Sequence, residues 1–160
     1  MKPVAIFLII LCVAALAGVG FLFATANLTV TGTGCVATDG ADQAETFALL
    51  KNQVATDTFT GTPFRTEEMG EAGEYQFYTY TVRLRNDCFL KAEVVELQVT
   101  PMDGDVLQMG DGEEHSLRAR STGDISATIL TEKGKHNVRE LTVSWYFWGL
   151  PFTTRVTYSH

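Results

Sequence analysis

An uninterrupted apolar stretch, Val4–Ala26, constrains the fold of this chain more than any other feature. It contains no charged residue, and a helix that rises about 1.5 Å per residue needs about 20 residues to cross a hydrocarbon core about 30 Å thick. Nothing in the stretch is polar enough to face water, which disfavours a helix packed in a protein core. We expect residues 1–26 to form a transmembrane helix and residues 27–160 to form a separate domain.

The charges around this stretch predict its orientation. Lys2 precedes it, whereas the next charged residue is Asp39 and the next basic residue is Lys51. The positive-inside rule then puts the amino terminus in the cytoplasm and the domain outside, in a single-pass protein of the cell membrane. Alternatively, the A-x-A pattern at 24–26 permits cleavage after Ala26 and secretion of the domain. The stretch exceeds the core of about 7–15 residues that is usual in signal peptides, which favours retention.

The composition of the domain limits its partners. Beyond residue 26 there are 11 Lys and Arg against 19 Asp and Glu, a net charge of −8. Binding to nucleic acid, or to anionic lipid through overall charge, needs a basic surface. We therefore expect no nucleic-acid partner. Export permits a disulfide between Cys35 and Cys88, and the alternative is two separately buried thiols.

The residue pattern of the domain predicts an all-β fold with one short helix. Asp42 is a candidate N-cap for a helix over Asp42–Val54, whose apolar residues recur at helical spacing. Elsewhere the period is two, and a slip in phase at Val94-Val95 predicts a β-bulge. Residues 27–37 are predicted to be a linker that runs into a first strand. The other predicted strands cover 58–64, 75–85, 90–100, 106–109, 116–121, 125–131, 138–148 and 152–158. Many short strands separated by turn residues are typical of an antiparallel, Ig-like β-sandwich.

One hairpin carries a family resemblance. Its sequence, TYTVRLRNDCFLKAEVVELQV, runs from Thr79 to Val99 and resembles exported bacterial sandwich domains of the FxLYD type. In those domains, too, a strand that ends in Asn leads through a turn into an alternating apolar strand. The Leu-Tyr-Asp element of the family is missing here. The resemblance implies a sandwich fold and carries no function.

Known catalytic motifs do not fit this sequence. Sortases also place a small β-rich domain behind an N-terminal anchor, but their catalytic Cys lies in a TLxTC-like strand with His earlier in the chain. Here Cys88 follows Asn86-Asp87, and both His115 and His136 come later. A G-x-S-x-G elbow for a serine hydrolase is absent. We expect no catalytic residue and no enzyme.

Metal motifs fail in the same way. The acidic residues of 103–114 could gather around Ca²⁺, but Leu107 and Gln108 stand where an EF-hand needs an oxygen ligand and a Gly. The histidines lack the spacing of zinc ligands. Acidic residues with Gly are typical of hairpin turns. We expect no metal and no cofactor.

Two pairs of arginines are candidate binding residues. Arg83 with Arg85, and Arg118 with Arg120, each place two guanidinium groups on one face of a predicted strand. If the strands are neighbours, four arginines could hold an anionic wall polymer or a phosphate. The alternative, which we favour, is cross-strand pairing with glutamates such as those at 93, 96, 132 and 140.

The aromatic sequence Trp145-Tyr146-Phe147-Trp148 is the strongest binding signal. Strand alternation places Trp145 and Phe147 on one face and Tyr146 and Trp148 on the other. One pair can fill the core, and the other must be covered or exposed. We favour the helix at Asp42–Val54 as the cover, over a sugar-stacking platform or a protein interface.

These observations predict a membrane-anchored, extracytoplasmic β-sandwich that acts as a non-enzymatic protein or cell-envelope interaction module. Tyr146 and Trp148 are its candidate contact residues, with Arg83 and Arg85 as secondary ones. The alternative function is a binding module for carbohydrate or wall polymer.

Overall fold

The computed structural model describes residues 2–65, 68–110, 115–135 and 138–159. Two antiparallel sheets pack face to face as a β-sandwich behind a long N-terminal helix. This architecture confirms the predicted antiparallel sandwich with one short helix and an apolar N-terminal helix. The two helices are α1 (Lys2–Ala24) and α2 (Ala44–Ala55), and a 3₁₀ turn at Ala41–Gln43 precedes α2.

Nine strands lie in the described part of the chain. They are β1 (Leu28–Asp39), β2 (Thr62–Pro63), β3 (Tyr75–Asn86), β4 (Ala92–Val99), β5 (Asp105–Gly110), β6 (His115–Leu117), β7 (Thr122–Glu132), β8 (Val138–Phe147) and β9 (Leu150–Ser159). The first sheet has the order β1-β3-β7-β5-β2 and the second β6-β4-β8-β9. Pro63 lies on an edge strand, as predicted, because proline has no N–H to donate to a second neighbour. The predicted bulge is also confirmed, since the register of β4 shifts between Ala92 and Val95.

Sheet one packs against sheet two on its inner face and against α2 on part of its outer face, so the core has two parts. Its inner face packs against sheet two through alternate residues of β3, such as Tyr80, Val82 and Leu84. Its outer face is covered at one end by α2, where Phe47 stacks on Tyr75 with ring centroids 5.3 Å apart. Two predictions about this helix were wrong. α2 does not cover the aromatic face of β8, and Asp42 is not its cap, since α2 follows Gln43 without a side-chain cap.

The helix α1 joins the sandwich at one end, which we call the proximal end. The proximal end comprises residues 85–91, 118–121 and 147–150 together with the start of β1. Only Thr25, Ala26 and Asn27 separate α1 from β1. The thiol of Cys88 accepts a hydrogen bond from Asn27 N–H at 3.3 Å and donates one to the Thr25 carbonyl. These contacts hold the end of α1 against the turn between β3 and β4.

The two cysteines of the domain lie far apart, and the structure contradicts a disulfide between Cys35 and Cys88. Cys35 pairs with Tyr80 across β1 and β3, whereas Cys88 follows Asn86 at the end of β3. Six residues of strand at about 3.4 Å each separate Tyr80 from Asn86 by roughly 20 Å. A disulfide needs Cα atoms within about 7 Å. Both residues are free thiols, with Cys88 buried and Cys35 half-buried.

The opposite, distal end of the sandwich contains a buried ion pair. Arg139 of β8 donates to both carboxylate oxygens of Asp105 of β5, at 2.6 and 2.7 Å. Both side chains are almost completely buried. Gln108 makes a second polar link between the sheets, because its amide bonds the backbone of Leu97 and Val99. These bridges fix the relative position of β5 and sheet two.

Candidate functional site

The aromatic hairpin of β8 and β9 lies partly in the core. Trp145 and Phe147 share one face, as alternation predicted, and this is the pair that fills the core, with exposed fractions of 1% and 0%. Phe152 of β9 packs on both, at ring-centroid distances of 6.1 and 5.6 Å. Trp145 and Phe147 therefore offer no open surface to a partner. The candidate contact residues are therefore the other two members of the run.

Trp148 lies in the turn of the hairpin, and its predicted place in a strand was wrong. β8 ends at Phe147, which pairs directly with Leu150, so Trp148 and Gly149 form a two-residue turn. Both have positive φ, +49° and +76°, as a type I′ turn requires. The indole is 59% exposed and lies edge-on against Phe23 of α1, with centroids 5.9 Å apart. Trp148 therefore adjoins the end of the apolar helix and does not share the exposed sheet face of Tyr146.

Tyr146 lies on the outer face of sheet two and is 39% exposed. It stands opposite Glu93 on β4 and Pro151 on β9. The helix expected to cover it packs instead on the outer face of sheet one, because Phe77, Leu107 and Leu130 form the apolar surface there. Tyr146 is thus an accessible aromatic side chain on an otherwise polar sheet face.

The outer face around Tyr146 is rich in hydroxyl groups. Ser144 pairs with Thr153, and Thr142 pairs with Arg155, on the strands that flank its own position. β9 is the last strand of its sheet in the order observed. Within the described residues it has β8 as its one strand partner, so its other edge presents backbone groups outside any ladder. Such an edge can accept an added strand.

The predicted arginine pairs do not form one cluster. Arg83 makes two 2.8 Å hydrogen bonds to Asp124 on β7, and Arg85 pairs with Asp87 in the following turn at 2.9 Å. The Arg83 guanidinium holds the pKa of the Asp124 carboxyl below its usual value. Cross-strand pairing is found for Arg83 alone, with an aspartate and not with a glutamate named above, whereas the partner of Arg85 is local. Arg83 and Arg85 are therefore partnered.

The second pair, Arg118 and Arg120, lies in the connection between β6 and β7 and not in a strand. β6 ends at Leu117. There the side-chain amide of Asn86 donates hydrogen bonds to the backbone carbonyls of Leu117 and Arg118, in place of a neighbouring strand. Arg120 has a positive φ of +56° and places its guanidinium 4.3 Å from the centre of the Phe89 ring. The two arginines belong to the proximal end.

A buried polar cluster at the interior of the sandwich was not found from the sequence. Burial raises the pKa of Tyr80 to about 12, and the neighbouring Cys35 and Arg139 are its polar contacts. Burial also raises the pKa of the Cys35 thiol, which outweighs its hydrogen bond to Tyr80. For Arg139, burial disfavours the charge, but hydrogen bonds to Asp105 outweigh it and raise the pKa. The cluster thus holds a protonated thiol and a neutral phenol, which are poor nucleophiles at neutral pH.

The acidic residues considered for Ca²⁺ are engaged elsewhere or lie outside the described residues. Asp105 pairs with Arg139, and Asp103 pairs with Lys135 at 3.1 Å. Asp111, Glu113, Glu114, His136 and His160 are outside the described residues. Among those described, no group of three or more His, Cys, Asp or Glu could hold a metal ion.

A cleft of about 370 Å³ opens between the two sheets near β6. Its lining includes Leu84 and Val95 from the core, His115 from β6, and Arg118 and Asp124 at its rim. The residues come from separate strands of both sheets, so no local sequence motif predicts the cleft. Its volume is at the low end of the range for small-molecule sites.

Comparison with known proteins does not assign this chain to a family. No protein-family model and no curated protein sequence matches it. The resemblance to FxLYD-type domains therefore gains no support. Among solved structures, it is similar to a FixG-related protein from Vibrio parahaemolyticus, at 12% identity and a TM-score of 0.35 over 81% of this chain and 97% of that chain. It is also similar to the cupredoxin domain of amoB from Nitrosocaldus yellowstonii, at 9% identity and a TM-score of 0.36 over 82% and 85% of the two chains.

Proposed function

We propose that this chain is a single-pass membrane protein whose β-sandwich lies outside the cytoplasm and binds a protein of the cell envelope without catalysing a reaction. α1 would hold the domain at the membrane surface. Tyr146 and the free edge of β9 would form the contact with the partner. The single observation that carries the proposal is the accessible Tyr146 beside an edge strand, on a face that α2 leaves open.

The features of α1 support the anchor. Pro3–Ala24 is long and apolar enough to cross a membrane, and none of its most apolar window is buried by the domain. A helix that is apolar on every side needs an apolar environment on every side. Membrane insertion supplies that environment, and Lys2 on the amino-terminal side favours the orientation with the domain outside.

The hairpin of β8 and β9 supports a protein partner. An edge strand offers backbone N–H and C=O groups in register, which give affinity to an added strand, and neighbouring side chains give specificity. Tyr146 lies one strand in from this edge and is large, rigid and amphipathic, as contact residues in protein interfaces commonly are. Arg155 is the one charged residue of β9, so the edge carries little of the charge that commonly prevents the addition of another strand.

Site-specific photocrosslinking in intact cells tests this proposal. A photoreactive side chain at Thr153, which faces Ser144 next to Tyr146, is expected to capture one dominant protein. The additional change Tyr146→Ser should abolish that adduct without reducing the amount of protein in the membrane. A photoreactive side chain at Thr81, on the outer face of sheet one, is the matched control. Equal adducts at both sites, or an adduct insensitive to Tyr146→Ser, would contradict the proposal.

Binding of a carbohydrate or wall polymer is the second candidate function. The observation that favours it is the position of Tyr146 among Ser144, Thr142 and Thr153, since sugars stack on aromatic rings and bond to hydroxyl groups. Against it, Trp148 is turned toward Phe23, so the face has one ring and not a platform. Retention of the full chain on immobilised wall polysaccharide, lost in Tyr146→Ser and kept in Thr81→Ala, would favour this function over a protein partner.

A further inference from the structure

The proximal end differs from the rest of the domain in charge. Residues 85–91 and 118–121 carry four basic side chains, those of Arg85, Lys91, Arg118 and Arg120, and one acidic side chain, that of Asp87. The domain as a whole is acidic, with a net charge of −8 beyond residue 26, whereas these segments at the end where α1 emerges have an excess of basic side chains. Within the described residues, the side chains of Lys91, Arg118 and Arg120 form no ion pair. Overall charge argues against lipid binding, but this local charge is of the opposite sign.

The same end exposes large apolar side chains. Phe89, Trp148 and Leu150 are exposed by 66%, 59% and 50%. They come from two separate turns, the one between β3 and β4 and the one between β8 and β9. Trp148 contacts Phe23, which is one residue before the end of α1. Trp148 therefore lies at the level of the last turn of the apolar helix.

Two of these residues adopt a conformation that their side chains disfavour. Trp148 and Arg120 both have positive φ, which Asn or Gly adopts far more readily than a bulky residue. A type I′ turn, in particular, favours Asn-Gly over Trp-Gly. Two other non-glycine residues with positive φ, Asp57 and Val94, lie elsewhere in the described chain. Strained backbone persists only where the surrounding structure over-determines it, and it is frequent at functional sites.

We propose that the proximal end rests on the same membrane that α1 crosses, with Trp148, Leu150 and Phe89 in the interfacial layer and Arg118 and Arg120 at the lipid phosphates. This inference rests on the proposed function, because it requires α1 to be inserted. The three residues between α1 and β1 span at most about 11 Å. The headgroup layer on each side of a bilayer is about 5–7 Å thick. The turns at this end therefore cannot leave the neighbourhood of the bilayer surface.

The chemistry of the side chains fits the bilayer surface: the apolar ones suit the interfacial layer, and the basic ones suit the lipid phosphates. Trp is enriched at membrane–water boundaries because its ring is apolar and its N–H is polar. Basic side chains close to an anionic surface are attracted within a short screening distance. The occupant of this surface is thus lipid with an anionic component.

Fluorescence quenching by brominated lipids tests the inference on the full chain. The protein has two tryptophans, so Trp145→Phe leaves Trp148 as the one emitter, whereas Trp148→Asn leaves the buried Trp145. Both variants are reconstituted in vesicles of phosphatidylcholine with a minority of phosphatidylglycerol. Bromine near the headgroup end of the acyl chains should quench Trp148 at least about twofold more than it quenches Trp145, as expected for an interfacial ring. Trp148→Asn also suits the turn, so this variant is expected to fold.

The charge component has its own variant. Arg118→Gln with Arg120→Gln should reduce the quenching of Trp148 in vesicles that contain phosphatidylglycerol, but not in pure phosphatidylcholine. Arg83→Gln with Arg155→Gln removes the same charge away from the proximal end and should leave quenching unchanged. Equal effects of the two double variants would overturn the assignment of Arg118 and Arg120 to lipid phosphates.

Resistance of the chain to carbonate extraction separates the two possible failures. If the chain stays in the vesicles and Trp148 is quenched no more than Trp145, the anchor stands and the interfacial seating is wrong. If Trp148 is not quenched and a crosslinker at this position captures a second copy of the chain, the inference is overturned in favour of a protein contact. If the chain is extracted by carbonate, the proposed anchor fails, and the inference fails with it.

Discussion

At the distal end of the sandwich, charged side chains pair with one another, whereas at the proximal end several lie open or over an aromatic ring. The distal pairs include Arg65 with Glu132 at 2.7 Å, Lys135 with Glu132 at 3.0 Å, and the buried pair of Arg139 and Asp105. At the proximal end, Arg120 lies over Phe89. The distal end is thus built for stability within the domain. The proximal end leaves charged and apolar side chains exposed, among them Phe89, Trp148 and Leu150.

The two helices make the same contrast. α2 buries Phe47 and Leu50 against the outer face of sheet one. α1 leaves nearly all of its apolar side chains exposed and contacts the domain through its last turn. The comparison shows that apolar side chains are buried against the domain at the distal end and left exposed by the domain at the proximal end. Removing a distal contact should change the free energy of unfolding, whereas removing a proximal side chain should mainly change how the domain meets its surroundings.

The largest effect is expected from Asp105→Ala. The substitution leaves the Arg139 guanidinium buried without a counter-charge, which costs about 3–5 kcal/mol. Urea unfolding of the full chain in detergent micelles, followed by the emission of Trp145 with Trp148→Asn in every variant, measures this loss. Glu140→Ala is the matched control, because its partner Arg155 is 73% exposed and the pair is 3.5 Å apart. Exposed pairs contribute about 0–1 kcal/mol. A loss no larger than that of the control would contradict the buried ion pair.

Leu50→Ala tests whether α2 is a structural part of the distal end. Leu50 is 4% exposed, and its truncation should cost about 2–5 kcal/mol through lost burial and a residual cavity. Leu49 is its neighbour on the same helix and is 56% exposed. Leu49→Ala should therefore change the free energy of unfolding by less than about 0.5 kcal/mol. Similar losses for the two variants would mean that α2 packs through another face.

Gly149→Ala probes the turn at the proximal end with a smaller expected effect. A Cβ added there would meet nothing within 4 Å, so the cost comes from the positive φ of +76° alone. Left-handed backbone costs a residue with a Cβ about 1–2 kcal/mol. Gly73 is also open to an added Cβ but has no positive φ. Gly73→Ala should leave stability unchanged or slightly raised, and an equal loss in both variants would argue against a strained turn.

The smallest effect is the acid sensitivity of the distal ion pairs. Hydrogen bonds from Arg65 and Lys135 lower the pKa of Glu132 in the folded protein. The folded pKa lies below the unfolded value of about 4.3. The stabilisation is therefore complete above that value and is lost as the pH falls through the folded pKa. Melting temperatures between neutral pH and pH 3 should fall less steeply for Glu132→Gln than for the wild type. Glu96→Gln, on the exposed face of β4, is the control and should follow the wild type.

The strands could be predicted because their signals are local. Alternation along Tyr75–Asn86 fixes which residues face the core, and the break in alternation at Val94-Val95 marks the bulge without any knowledge of the partner strand. Alternation also placed Trp145 and Phe147 on one face, but not which of the two faces is the core. It failed at Trp148, because a residue in a turn with positive φ no longer follows the period of the strand.

The candidate site could be predicted only in part, because its surroundings depend on distant residues. The sequence named Tyr146 and Trp148, but not that Trp148 would meet Phe23, which is 125 residues earlier in the numbering. It named Arg83, but not Asp124 as its partner. The cluster of Tyr80, Cys35 and Arg139 was missed altogether, since its members come from three strands with no shared motif.

By itself, the sequence determined the apolar helix, the short amphipathic helix and the antiparallel sandwich, because each depends on the spacing of apolar residues along one segment. The tertiary structure alone decided which face α2 covers, whether Cys35 and Cys88 can meet, and which charges pair. Those outcomes depend on the order and register of strands within the sheets. Strand order is a choice among global arrangements that all satisfy the same local periods, so no single segment contains it.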